Sequence, residues 1–250
     1  MRIRFYSWLT AAALILSGCA APESNVSLTV AAASNLTGAF DEIAAKFREQ
    51  TGTEVVLSYG STAQLSQQIE AGAPFDVFAA ADTEHVDQLI STGKLTTDTR
   101  AVYARGQLAL WIPKGDELGV RSIKDLTKPE IRFIALAQPE LAPYGEAAVQ
   151  ALKASALWDQ LQPKVVYAGN INLTRQFAAT GNADAAFTAF SLVRKDPGTV
   201  LKIDPALYQP LNQALAVLTA SQHPQARRFA SLIKTPEYRA ILTSHGYLLP

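Results

Sequence analysis

The chain of 250 residues has one cysteine, one methionine and three histidines, and its 22 basic side chains are matched by 22 acidic ones. Each scarcity removes a class of protein. A single thiol supports neither a disulfide framework nor a zinc site built from several thiolates. A net charge of zero, with Lys and Arg dispersed along the chain, leaves no basic face for nucleic acid, so a polyanionic partner is not expected. The sequence also lacks Gly-x-Ser-x-Gly, the P-loop, Gly-x-Gly-x-x-Gly and His-Glu-x-x-His, the loops that hydrolase, nucleotide, dinucleotide and zinc-protease chemistry need. His85, His223 and His245 are scattered, with no ligand spacing and no triad order. Asp76 and Asp82 flank one apolar segment as an acid and a base would, yet Asp82 reads more simply as a helix cap. No catalytic residue, no resident cofactor and no metal held directly by side chains are therefore expected.

What is present is a globular composition, 48% apolar, in a length that suits one large domain or two modest ones. The first residues form an export segment. Arg2 and Arg4 precede an apolar stretch of twelve residues, 5–16, too short to span a bilayer as a helix. Leu16-Ser17-Gly18-Cys19 then resembles the bacterial lipobox, in which the cysteine becomes the lipidated first residue of the mature protein. Residues 1–18 are accordingly expected to be a signal peptide and 19–26 a lipidated tether, placing the protein on the extracytoplasmic face of a membrane, in the periplasm where there is one.

Beyond the tether, strand and helix patterns alternate. Short apolar runs at 28–32, 55–59 and 76–81 are each followed by a helical pattern, the first carried by Leu36, Phe40, Ile43, Ala44 and Phe47 up to Gly52. The pattern begins again after Gly106, with strands expected at 107–112, 131–137, 164–167 and 185–189 and helices near 122–126, 146–157 and 173–180. A strand at 214–219 and helices at 226–233 and 236–244 close the chain. Two α/β units follow, each a sheet covered by helices. The expected lobes are 27–108 plus 215–250 and 109–214, crossing near 106–113 and 210–218.

Four strand-to-helix junctions carry the functional signal: Ser34-Asn35, Gly60-Ser61-Thr62, Pro143-Tyr144-Gly145 and Gly169-Asn170-Ile171-Asn172. Taken singly, each is ordinary cap chemistry. Together they are short, rich in small or amide residues and free of Asp and Glu, and helix N-termini present unpaired N–H groups and a positive dipole end that hold an anion without a cation. At the carboxyl edge of open sheets such loops line the ligand crevice. A site of hydroxyls and amides with no acceptor for a proton suits a fully deprotonated tetrahedral dianion. Monohydrogen phosphate would bury an unpaired P–O–H donor at a cost of about 1–3 kcal/mol. Sulfate, molybdate and tungstate all pass this filter. A sulfate or polyol receptor is the rival reading, the polyol calling for buried carboxylates or a stacking aromatic face in the cleft.

The runs Ala31-Ala32-Ala33-Ser34-Asn35-Leu36 and Ser58-Tyr59-Gly60-Ser61-Thr62, with residues 68–78 (QIEAGAPFDVF), closely resemble the periplasmic molybdate-binding proteins of ABC importers. The likeness continues through Ala79-Ala80-Ala81-Asp82, 139–145, 151–159 and Gly181-Asn182-Ala183-Asp184-Ala185, over essentially the whole mature chain. It implies a type II periplasmic-binding-protein fold, α/β with two lobes, each a mixed, mainly parallel sheet flanked by helices, and a ligand cleft between them. It implies a monomeric receptor that takes up molybdate, and tungstate, and passes it to an ABC permease. Matching positions give Ser34 with Asn35, and Ser61 with Thr62, as hydroxyl and N–H donors, and Tyr144 and Ile171 as backbone N–H donors. One branch of the family adds a tyrosine hydroxyl at a place that falls here near Ala189, followed by Phe190 and Ser191, so that phenol is absent. The chain resembles instead the branch that compensates with the Asn of the first loop.

Overall fold

The computed structural model describes residues 26–250, less the side chains of 115 and 116; the signal peptide, Cys19 and the tether up to residue 25 lie outside the described residues. The chain starts with β1 (Leu28–Ala33), α1 (Ala39–Thr51), β2 (Val55–Gly60), α2 (Thr62–Glu70), β3 (Val77–Ala80), α3 (Glu84–Ser91) and β4 (Ala101–Arg105). It then crosses into a second body made of β5 (Leu108–Ile112), α4 (Gly115–Leu118), β6 (Ile134–Ala137), α5 (Pro143–Ala154), α6 (Trp158–Leu161), β7 (Val165–Ala168), α7 (Ile171–Ala179), β8 (Ala185–Ala189), α8 (Phe190–Val193) and β9 (Thr199–Lys202). It returns through β10 (Asn212–Val217) and ends in α9 (Ala226–Leu232) and α10 (Pro236–Ser244).

Each body holds one five-stranded sheet, in the orders β2-β1-β3-β10-β4 and β7-β6-β8-β5-β9. In the first, β1 pairs in parallel with β2 and β3, while β10 runs antiparallel to β3 and β4. The second repeats the scheme, β5 being antiparallel to β8 and β9. In both, the reversed strand is the one that follows a crossing. A chain arriving from the other lobe enters at the edge where the remaining strands end, so it must run against them. The two-lobed, mainly parallel α/β fold expected from the sequence is the observed one.

Local chemistry explains the main elements. Ala39, Phe40, Ile43 and Phe47 form the buried stripe of α1, and Gly52 ends the helix in the left-handed conformation at φ 71°. Phe40 and Phe47 meet the Phe229 ring at centroid distances of 6.3 and 5.2 Å, tying α1 to α9. Asp76 is structural: its Oδ2 accepts from the Thr29 N–H and hydroxyl, and its Oδ1 accepts from the Ser221 hydroxyl at 2.6 Å. Among the described residues no helix is long and apolar enough to cross a membrane.

The differences from expectation lie at the sheet edges and in short helices: α4, α6 and α8, four residues each, are not in the sequence reading. β4 and β9 are not in the sequence reading; both are outer strands, and β9 is only partly buried along its length, which blunts the apolar pattern. The helix expected at 122–126 is a 3-10 turn, Ile123–Thr127, that stops ahead of Pro129. The sheets change over at 106–107 and between Lys202 and Asn212, so the lobe boundaries expected at 108/109 and 214/215 cut into β5 and β10.

Gly145, in the first turn of α5, sits so close to β6 that a Cβ there would overlap the Ala137 carbonyl oxygen. Gly145→Ala is expected to destabilise the protein by about 1–3 kcal/mol through overpacking, lowering the melting temperature by several degrees in a thermal scan.

Candidate anion-binding site

The four junctions converge. Each follows a strand whose carboxyl end faces the cleft: Ser34 and Asn35 lie in a single 3-10 turn after β1, Ser61 caps α2 after β2, Tyr144 stands in the first turn of α5 after β6, and Ile171 opens α7 after β7. All six expected site residues, Ser34, Asn35, Ser61, Thr62, Tyr144 and Ile171, are buried and line one small cavity of about 10 Å³. Ala33, Gly60, Ala81, Ala142 and Pro143 complete the lining. Its lining has no carboxylate and, besides Tyr144, no aromatic ring, the features a polyol would call for.

The polar groups are arranged to give hydrogen bonds. Ser61 Oγ accepts from the Gln64 N–H at 3.4 Å and Thr62 Oγ1 accepts from the Ala81 N–H at 3.1 Å, each leaving its own proton to donate. Asn170 Oδ1 caps α7 by accepting from the N–H groups of Asn172 and Leu173 at 3.0 and 3.1 Å. The cap thus passes over Ile171, whose N–H, like those of Thr62 and Tyr144, stands in a first helical turn with no intrahelical acceptor. The Thr174 and Thr188 hydroxyls hold the Ile171 carbonyl at 2.7 and 3.2 Å, which fixes the orientation of that turn. Across the cleft, the Ala63 N–H donates to the Leu141 carbonyl at 3.1 Å, so the two lobes touch beside the cavity.

No lining residue carries a formal charge. Burial and the neighbouring Tyr247 push the Tyr144 phenol well above its usual pKa, keeping it neutral. That phenol does not face the guest. It points to the crossing segment, where a Cβ on Gly106 would overlap its Oη, so glycine at 106 makes room for it. The histidines are engaged elsewhere: the His85 ring with Asp82 Oδ2 at 2.7 Å, His223 with the Val26 carbonyl and His245 with Glu42. Asp82 Oδ1 accepts from the His85 backbone N–H at 3.1 Å, the capping role read from the sequence.

The Asn35 side chain is engaged inside the protein. Its Nδ2 donates to Gln213 Oε1 at 2.8 Å and to Tyr247 Oη at 3.0 Å, which occupies both amide protons. Asn35 itself lines the cavity, and the donor expected of it is its backbone N–H. Ala189 is fully buried and offers nothing, but Ser191 two residues on sends its hydroxyl to the Asn35 carbonyl at 2.9 Å. Gln213, Tyr247 and Ser191 form this support and were missed as functional residues. They stand 178, 212 and 156 positions from Asn35, and no local pattern announces such partners.

A family model described as bacterial extracellular solute-binding protein matches residues 28–248, most of both lobes. The chain belongs to that family. Among its curated relatives, this solute-binding protein is 34% identical to the molybdate-binding protein ModA of Rhodobacter capsulatus, over 96% of this chain and 94% of the relative. It is 35% identical to ModA of Azotobacter vinelandii, over 93% of each. Among solved structures, the periplasmic molybdate-binding protein of Azotobacter vinelandii superposes with a TM-score of 0.86 at 33% identity, covering 89% of this chain and 99% of that one. The resemblance read from the ligand-loop motifs and the two-lobed fold it implies are both upheld.

Thr62 serves the fold as well as the cavity. Thr62→Val keeps the shape but removes the acceptor of the buried Ala81 N–H, and is expected to cost about 1–3 kcal/mol of stability in the ligand-free protein by urea unfolding.

Proposed function

We propose that this solute-binding protein is an extracytoplasmic receptor for molybdate, and for tungstate, that delivers the anion to the permease of an ABC importer. The observation that carries the reading is the cavity itself. It is small and lined from both lobes by hydroxyls and first-turn N–H groups from two helices of the second lobe and two loops of the first, with no charged side chain. Such a site holds a dianion through helix-terminal dipoles and oriented donors in a dry cleft. The names of the relatives support molybdate within the class of tetrahedral dianions that the chemistry allows.

In this reading Ser34, Ser61 and Thr62 donate hydroxyl protons, and Asn35, Thr62, Tyr144 and Ile171 donate backbone N–H groups. The lobes close about the two crossing segments, each supplying donors and expelling water. The closed form presents the joined lobes to the permease. The protein acts as a monomer, and lipid on Cys19 keeps it at the membrane surface, more than one acyl chain being needed for stable anchoring.

Calorimetric titration of the protein beginning after Cys19 tests this, with tungstate, sulfate and phosphate as competitors. Tight molybdate and tungstate binding with weak sulfate and phosphate is expected. Equal binding of sulfate would make this a general sulfate-type receptor, and no heat with any anion would reduce the four loops to ordinary caps. Ser34→Ala combined with Ser61→Ala removes two hydrogen bonds to a charged guest and is expected to weaken binding between about 100- and 10,000-fold while the circular dichroism spectrum is unchanged. Because nothing in the cavity titrates near neutrality, molybdate affinity is expected to be flat between about pH 6 and 9.

A further inference from the structure

Asn35 is buried in the first ligand loop and is gripped from both lobes. Its carbonyl accepts two hydrogen bonds, from Tyr247 Oη at 2.6 Å and from Ser191 Oγ at 2.9 Å. Tyr247 belongs to the C-terminal segment that pairs with β4, where Leu248 bridges Arg105, so its bond lies within the first lobe. Ser191 lies in α8, which follows β8 of the second sheet, so its bond crosses between lobes. The same short helix meets the first lobe twice more. Arg194 Nε donates to the Ser244 carbonyl at 3.0 Å, and the Phe190 ring packs so closely on Gly246 that a Cβ there would lie 2.7 Å from Cδ1.

The rest of the Asn35 side chain is held inside the first lobe. Gln213 accepts from Asn35 Nδ2 and itself donates to the carbonyls of Ala81, a cavity residue, and Leu211, at the end of the returning crossing. Asn35 Oδ1 and Tyr144 Oη, at the junction of the lobes, are buried without a hydrogen-bond partner. Beside the backbone contact of Ala63 with Leu141, the Ser191 hydroxyl links the second lobe directly to the Asn35 peptide of the first ligand loop.

We propose that Ser191 is a positioning residue that latches the closed cleft, coupling the second lobe to the first ligand loop through the Asn35 carbonyl. This rests on the receptor reading above and on opening about the crossing segments. Encounter with the anion occurs while the lobes are apart and does not sense the latch; release requires the latch to break. Its removal therefore acts on dissociation. In the open form the Asn35 carbonyl keeps Tyr247, so the ligand-free protein does not depend on Ser191.

The test is release and uptake of radiolabelled molybdate by the wild-type protein, Ser191→Ala, Ser191→Thr and Tyr247→Phe, with melting temperatures measured with and without ligand. Ser191→Ala is expected to release molybdate about three- to tenfold faster, the worth of one net hydrogen bond, with association within twofold of wild type. Its ligand-free melting temperature is expected to match wild type while the ligand-induced rise shrinks, and Ser191→Thr, which keeps the hydroxyl, is expected to restore slow release. Tyr247→Phe, removing an intra-lobe bond, is expected to lower the melting temperature of both forms alike. Unchanged release in Ser191→Ala, or a fall of its ligand-free melting temperature matching that of Tyr247→Phe, would overturn the latch. A wild-type protein that takes up no molybdate would instead overturn the receptor reading.

Discussion

In the receptor reading proposed above, the architecture depends on one constraint: an anion taken from water into a cleft must find a donor at each face, and the donors that reading offers are peptide N–H groups and hydroxyls rather than cations. Peptide donors free of other duties exist chiefly at the start of helices. To bring several helix starts within reach of one small guest, the strands that feed them must end at a common edge, and two such edges must face one another. The mixed sheets follow from this. Strands β1, β2, β6 and β7 end at the cleft, and the strands that follow a crossing, β5 and β10, are the reversed ones.

Small side chains serve the same end. Ala33, Gly60, Ala81 and Ala142 line the cavity between the donors, and larger groups at these places would hold the guest away from the peptides. Gly145 permits a close approach of another kind, letting α5 sit against β6 so that its first turn faces the cavity. Where neutral groups rather than charged ones make a site, position has to replace charge, and the loops are braced accordingly. Thr174 and Thr188 pin the Ile171 carbonyl, and Gln213 ties Asn35 to Ala81.

Much of this was legible in the sequence because it is local. The apolar run of β1 followed by Ser34 and Asn35, or of β2 followed by Ser61 and Thr62, places a strand, a junction and a donor within about eight residues, and all six ligand-loop residues came together in one cavity. Edge strands β4 and β9 were not legible; in β9 partial exposure dilutes the pattern that marks buried strands, whereas β4 is mostly buried and was missed all the same. The partners of Asn35 were not legible either. A glutamine in β10, a tyrosine near the C-terminus and a serine after β8 are brought together by the tertiary fold alone, and none sits in a motif.

The double crossing also sets an order of assembly. Residues 108–202 supply every strand of the second sheet in one continuous piece, whereas the first sheet lacks its fourth member until β10 arrives. Until then β3 and β4 are not neighbours, because β10 is inserted between them and pairs with both. In a chain that emerges from its N-terminus, the second lobe can complete its sheet while the first waits with the inner edge of β3 unpaired, a bare strand edge of the kind that invites mispairing. The closure of the first sheet therefore joins strands more than a hundred residues apart, the kind of non-local pairing that topology makes slow relative to local helices.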